Sequence, residues 1–362
     1  AHSGLACSAV IMLTALGAAS AQEAQRVLRL EPGPENPRNS EGDFIQLKDG
    51  RILYAYTRFT GDASDYGAAD IAGRYSSDGG RTWTQEDVII LKNEGAVNTM
   101  SVSLLRLQSG RIAFLYLVKA SRGDCRPYLR FSDDETVTWT DPIQCVDTPG
   151  YFVVNNDRLV QLRDGRLLIP AARHGIGLER ILTRGSALCF LSDDEGRSWR
   201  QSETVLEAPP ESKAGLQEPA VIELKDGRLM MLCRTDMGSQ YRSWSDDGGV
   251  TWSAAEATDI LSPLSPASIE RVPKTGDILL AWNDHRGIAD ELKPYRTPFT
   301  IAVSNDEGLT WRRILTLEDD PNGWYCYTAM EFTDEALLLA YCAGDRRTGG
   351  LNATQITRIV FD

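Results

Sequence analysis

Histidine is scarce in this 362-residue chain, with three in all, and no Cys-x-x-Cys pair or clustered His/Cys set occurs. That absence argues against a structural metal of the zinc-ribbon or zinc-finger kind, which needs four closely spaced N/S ligands. Basic residues are also short, 38 Lys and Arg against 51 Asp and Glu, for a formal charge of -13. A polyanion such as a nucleic acid would on average be repelled, so any anionic ligand must be met by locally placed arginines. No Pro/Ser/Gly-rich linker divides residues 26–362, and no stretch beyond the N-terminus is long and apolar enough to span a bilayer. The N-terminus is the exception: residues 5–21 are apolar and uncharged and end in Ala19-Ser20-Ala21 before Gln22. That is the shape of a secretory h-region and cleavage site, so residues 1–21 are expected to be a signal-peptide remnant and the protein secreted or periplasmic, with residues 22–362 as one domain. Export permits disulfides among the six cysteines beyond Cys7; Cys125 with Cys145 and Cys326 with Cys342 each flank one hairpin, and buried free thiols are the alternative.

What the chain does have is repetition. Ser76-Ser-Asp78-Gly-Gly80-Arg-Thr82-Trp83 returns around Asp134, Asp194, Asp247 and Asp306, ending in Trp139, Trp199, Trp252 and Trp311, at intervals of 56, 60, 53 and 59 residues. Each copy reads as a hairpin corner: Asp caps downstream amides, Gly supplies positive φ, and Trp anchors the next strand. Thr136 replaces the glycine in the second copy and Ser198 the threonine in the third. A second set of polar turns interleaves with these, centred on Gly50, Gly110, Gly165, Gly227, Gly276 and Glu335. The repeating unit is therefore four antiparallel strands, and six units predict an all-β, six-bladed β-propeller with little helix. The last unit lacks an octapeptide, and residues 26–30 are the expected strand that closes the ring and protects its edges.

Side chains from all blades converge near a propeller's axis, and five polar stretches fall at corresponding places there: residues 36–43, residues 58–70, Gln217-Glu218 with Arg234 and Asp236, Tyr295-Arg296, and residues 324–327. Asn155-Asn156-Asp157-Arg158, His174, residues 124–128, Gln240-Tyr241 and Asn283-Asp284-His285 are further candidates for subsites. Both histidines read first as hydrogen-bonded structural residues.

Repeated Ser-x-Asp-x-Gly-x-Thr-Trp turns in such a propeller resemble the Asp-box repeats of exo-sialidases, over nearly all of residues 22–362. The resemblance implies a retaining glycoside hydrolase that releases terminal sialic acid, with no cofactor. It implies Glu218 and Tyr327 as catalytic partners, with Tyr325 as the neighbouring alternative, and Asp65 as acid/base, with Asp62 as its rival. It implies Arg38, Arg234 and Arg296 as a carboxylate clamp, and Tyr241 is a further substrate-binding candidate. The family's aromatic-Arg-Ile-Pro motif is absent around Arg38, where the chain reads Pro37-Arg38-Asn39-Ser40-Glu41. Guanidinium groups suit a carboxylate through bidentate, charge-assisted bonds. A neutral tyrosine suits an anomeric centre that already carries negative charge. The alternatives are a propeller glycosidase or lyase acting on a uronate, and a glycan-binding propeller without activity.

Overall fold

The computed structural model describes residues 21–177 and 181–361, so the expected signal-peptide remnant, apart from Ala21, and Cys7 lie outside the described residues. The fold is all-β: one three-residue 3₁₀ turn, Asp290–Leu292, is the sole helical element among the described residues. No helix among them is long and apolar enough to cross a membrane.

The strands fall into five sheets in chain order. The first is Arg38–Gln46, Ile52–Phe59, Ala69–Ser76 and Val88–Leu91. A nine-stranded sheet follows, made of two antiparallel halves joined by one parallel pairing of Tyr151 with Cys125. Its first half runs from Asn98–Arg106 to Ile143–Gln144 and its second from Tyr151–Val153 to Arg200–Gln201. The next two sheets open with Gln217–Glu223 and Ser268–Arg271. In the last, Gly323–Phe332, Leu337–Asp345 and Thr354–Phe361 are completed by the N-terminal strand Ala21–Leu30, which pairs with Thr354–Phe361 in a register that sets Arg26 against Thr357. The pairing expected for residues 26–30 is therefore observed, extended to Ala21.

Strands that are apolar on both faces are stable only between two other apolar layers. Ile52, Tyr54 and Tyr56 pack with Leu338, Ala340 and Ile356 of the last sheet, whereas Leu53 and Ala55 on the opposite face pack with Val102, Leu104 and Phe114 of the second. Successive sheets share such clusters, and the first shares one with the last.

All five octapeptides close in the same way. Asp78 Oδ1 accepts from the Arg81 and Thr82 amides at 3.0 and 2.9 Å and Oδ2 from the Thr82 hydroxyl at 2.6 Å, while Ser76 Oγ accepts from the Gly80 amide at 2.9 Å. The Ser-to-Asp and hydroxyl-to-Asp bonds recur at Asp134, Asp194, Asp247 and Asp306. The two irregular copies keep the chemistry: the Ser198 hydroxyl still reaches Asp194, and Thr136 adopts φ +72° in place of glycine.

The six cysteines among the described residues are buried free thiols, not the disulfides held open by their spacing. The Cys145 thiol points to the Ile143 carbonyl at 3.7 Å. Cys326 and Cys342 are cross-strand partners in register, and both remain thiols.

Candidate functional site

The site is built on an irregularity shared by the first strands of several sheets. Each carries a bulge whose central residue has positive φ: Glu41 at +54°, Ser101 at +58°, Glu218 at +44° and Tyr327 at +57°. Left-handed backbone is uncommon for non-glycine residues and concentrates at functional positions, because a bulge re-aims a side chain that a regular strand would send elsewhere. All four line one cavity of about 400 Å³, together with Asp65, Lys119, Tyr151, Asn155, His174 and Arg234.

Tyr327 Oη donates to Glu218 Oε1 at 3.2 Å, and Arg234 Nη1 donates to Glu218 Oε2 at 2.5 Å. Burial first, and the Glu218 charge second, push the Tyr327 phenol well above its ordinary pKa, so it is a neutral hydroxyl aimed at a carboxylate. Arg296 lies with its guanidinium carbon 5.4 Å from the centroid of the Tyr327 ring and 5.1 Å from that of Trp324. It is buried, and its Nε and Nη1 have no protein partner; Arg234 Nε is likewise unmatched. Buried guanidinium donors without acceptors are costly, and an anion within their reach would satisfy them.

Arg38 is 1 % exposed and stacks over Phe59. It donates to Asp65 Oδ1 at 2.6 Å, Glu41 Oε2 at 3.1 Å and Ser40 Oγ at 2.9 Å. Burial pushes the Glu41 carboxyl up despite the Arg38 charge. Asp65 differs, with its side chain 60 % exposed at the cavity mouth. What burial it has would raise its pKa, but the charge and hydrogen bond of Arg38 prevail and hold it below the usual carboxylate range. Its loop is pinned from below: Lys119 Nζ and Asn98 Nδ2 both donate to the Asp65 carbonyl, at 2.5 and 2.9 Å. Burial lowers the His174 pKa, against the bond its Nδ1 makes to the Leu182 carbonyl at 2.9 Å, and the ring lines the cavity.

Thus Asp65, Glu218, Arg234 and Tyr327 line one cavity, Arg38 reaches it through its bonds to Asp65 and Glu41, and Arg296 through the ring of Tyr327. The other three candidates do not line it. Asp62 is exposed and accepts from the Ser64 amide, as a turn residue does. Tyr325 packs against Phe299 and Tyr341 in the core. Simple alternation would put it on the same side as Tyr327, but the bulge between Cys326 and Ala329 breaks that alternation. Tyr241 is core, paired with Cys233. His285 is bonded to the carbonyls of Tyr295 and Thr297. Ser101 and Lys119 were not legible as site residues, since nothing in a strand-like run marks which residue will bulge.

A family model described as a BNR repeat-like domain matches residues 50–338. The chain is 27% identical over 299 residues to a sialidase of Micromonospora viridifaciens, covering 73% of this chain and 43% of that protein. It is 28% identical over 239 residues to a sialidase of Clostridium perfringens, covering 58% and 59%. The chain therefore spans less than two thirds of the length of either curated relative. A mutant Trypanosoma rangeli sialidase displaying trans-sialidase activity superposes with a TM-score of 0.72 at 17% identity, over 94% of this chain and 60% of that one, a likeness of fold. With more than half of its length matched by the family model, the chain belongs to the BNR repeat-like domain family, within the sialidase/BNR superfamily.

Proposed function

We propose that residues 22–362 form a single six-bladed propeller, the nine-stranded sheet counting as two blades, and that it is an exo-α-sialidase-like retaining glycoside hydrolase acting on sialylated glycans. The observation that carries this reading is the Tyr327–Glu218–Arg234 chain, with Arg296, two of whose donors lack a partner, against the Tyr327 ring. A sialoside carries a carboxylate on its anomeric carbon, and Arg38, Arg234 and Arg296 grip it. Tyr327 Oη attacks that carbon while its proton passes to Glu218. Asp65 delivers a proton to the departing glycosidic oxygen, then takes one from the water that attacks the glycosyl-tyrosine. Tyr327 leaves, recovering its proton from Glu218, and the configuration is retained. The Arg38–Asp65 pair fits this sequence: the substrate carboxylate competes for Arg38, and a carboxyl released from its guanidinium partner is a weaker acid, able to hold the proton it must donate.

The test is fluorophore release from the 4-methylumbelliferyl α-glycoside of N-acetylneuraminic acid by wild type and Tyr327→Phe. Turnover by wild type, with a loss of about 10³-fold or more in the variant, supports the reading. A wild-type protein inert toward sialosides but active on uronides would sink it, and glycan binding with no cleavage would leave a binding module.

A further inference from the structure

Residues 155–158 leave the short strand Tyr151–Val153 and reach across the molecule. The Asp157 amide donates to the Val102 carbonyl at 3.0 Å, Arg158 Nη2 to the Ala267 carbonyl at 2.9 Å, and Asp157 Oδ2 accepts from the Met330 amide at 3.1 Å. The most constrained of the four is Asn156, which is completely buried. Its Nδ2 donates to the Gly42 carbonyl at 2.7 Å and to the Tyr327 carbonyl at 3.0 Å. The amide can only point this way round, because its oxygen has no hydrogen to offer two carbonyls. That oxygen has no partner. A buried amide kept with one end unmatched is explained by what its other end holds.

Both acceptors belong to the bulges of the site. Gly42 follows Glu41, the carboxylate that holds Arg38, and a Cβ there would lie 2.6 Å from the Ala55 carbonyl oxygen, so the bulge leaves no room for a side chain at that position. Tyr327 is the bulged residue of its own strand. One side chain therefore cross-links the two left-handed segments, one from the first sheet and one from the last.

Resting on the reading of Tyr327 as nucleophile, we propose that Asn156 is a positioning residue that sets the separation between the Arg38 end of the carboxylate clamp and the Tyr327 hydroxyl. Without it, the Tyr327 carbonyl loses its one side-chain donor among the described residues, and the bulge is free to relax toward regular pairing. Misplacement of a reacting group by about 1 Å costs on the order of 10²-fold in rate.

Asn156→Ala and the near-isosteric Asn156→Asp, which sets a carboxylate against two carbonyls, are compared with Gln355→Ala. Gln355 is a similarly buried amide bonded to Glu318 and Tyr341 that does not line the cavity. In either Asn156 variant kcat is expected to fall roughly 30- to 100-fold with KM within about threefold of wild type. Gln355→Ala is expected to lower the thermal midpoint while leaving kcat near wild type. In the crystal structure of an Asn156 variant, Tyr327 is expected to leave positive φ and its hydroxyl to lose Glu218. Retention of both, or a kcat within about threefold of wild type, overturns the proposal. Should Asn156→Ala fail to fold, the aspartate variant carries the same measurements. If the wild-type chain cleaves no sialoside, the functional reading fails on its own, and the variant's Tyr327 geometry still decides the positioning claim.

Discussion

Two side chains that look equivalent along the chain can have unrelated fates, as the pair Tyr325 and Tyr327 shows. A difference of two residues implies one face of a regular strand, and only the bulge at Tyr327 separates a core ring from a hydroxyl on Glu218. Tyr325→Phe is therefore expected to keep wild-type kcat, because the phenol oxygen it removes has no hydrogen-bond partner among the described residues, and steady-state kinetics on the aryl sialoside checks it. Glu218→Gln removes the acceptor of the phenolic proton, and kcat should drop by roughly 10² to 10⁴ with the protein still folded. Asp65 and Asp62 part by the same kind of local fact: both are exposed loop acids, and Arg38 reaches Asp65. The sequence places Glu41 in the right stretch, but its bond to Arg38 depends on positive φ, which a Glu does not advertise.

At the scale of the element, the octapeptide was legible down to its hydrogen bonds, because an Asp, a hydroxyl and a glycine within eight residues leave few ways to turn. What it does between elements was not. Gly80 has φ +82°, and a Cβ there would lie 2.6 Å from Leu338 in the last sheet; Gly50 has φ +87° with nothing within 4 Å. Both alanine variants pay for left-handed backbone, about 1–2 kcal/mol, but Gly80→Ala must also push Leu338 aside. Denaturant titration should show Gly80→Ala destabilised clearly more than Gly50→Ala. Equal losses would mean that the turn does not serve as a packing surface. Ser76→Ala should cost about 1–2 kcal/mol by the same measurement, since the buried Ser76 hydroxyl both donates to Asp78 and accepts from the Gly80 amide.

At the scale of the whole molecule, the N-terminal strand shields an edge of the last sheet, and Arg26 bonds Glu318 of the preceding one. Deleting residues 1–30 uncovers Thr354–Phe361, so a lower thermal midpoint and concentration-dependent association in light scattering are expected. Further along the same inner strands, a second cavity of about 590 Å³ gathers Asp43, Asp157, Glu270 and Glu331. Burial raises the pKa of all four, Asp157 to about 6 and Glu331 to about 7, with the Asp157 charge adding to the rise at Glu331. A carboxyl whose folded pKa exceeds its unfolded value holds more protons when folded, so stability falls as pH rises through the interval between the two values. The contribution of Glu331 is thus lost between its ordinary value of 4.5 and about 7. Glu331→Gln should flatten the fall in thermal midpoint over that window, and an unchanged slope would rule out the assignment.

The sequence by itself determined the all-β class, the repeat, the turn chemistry and which arginines, acids and tyrosines were worth following, because these depend on contacts within a few residues. The tertiary structure alone decided which of them meet. The phenol, the carboxylate and the two buried guanidinium groups of the site come from segments far apart in the chain, and the aim of the phenol and the carboxylate depends on single-residue bulges, one of them held by Asn156, more than a hundred residues away from both Gly42 and Tyr327.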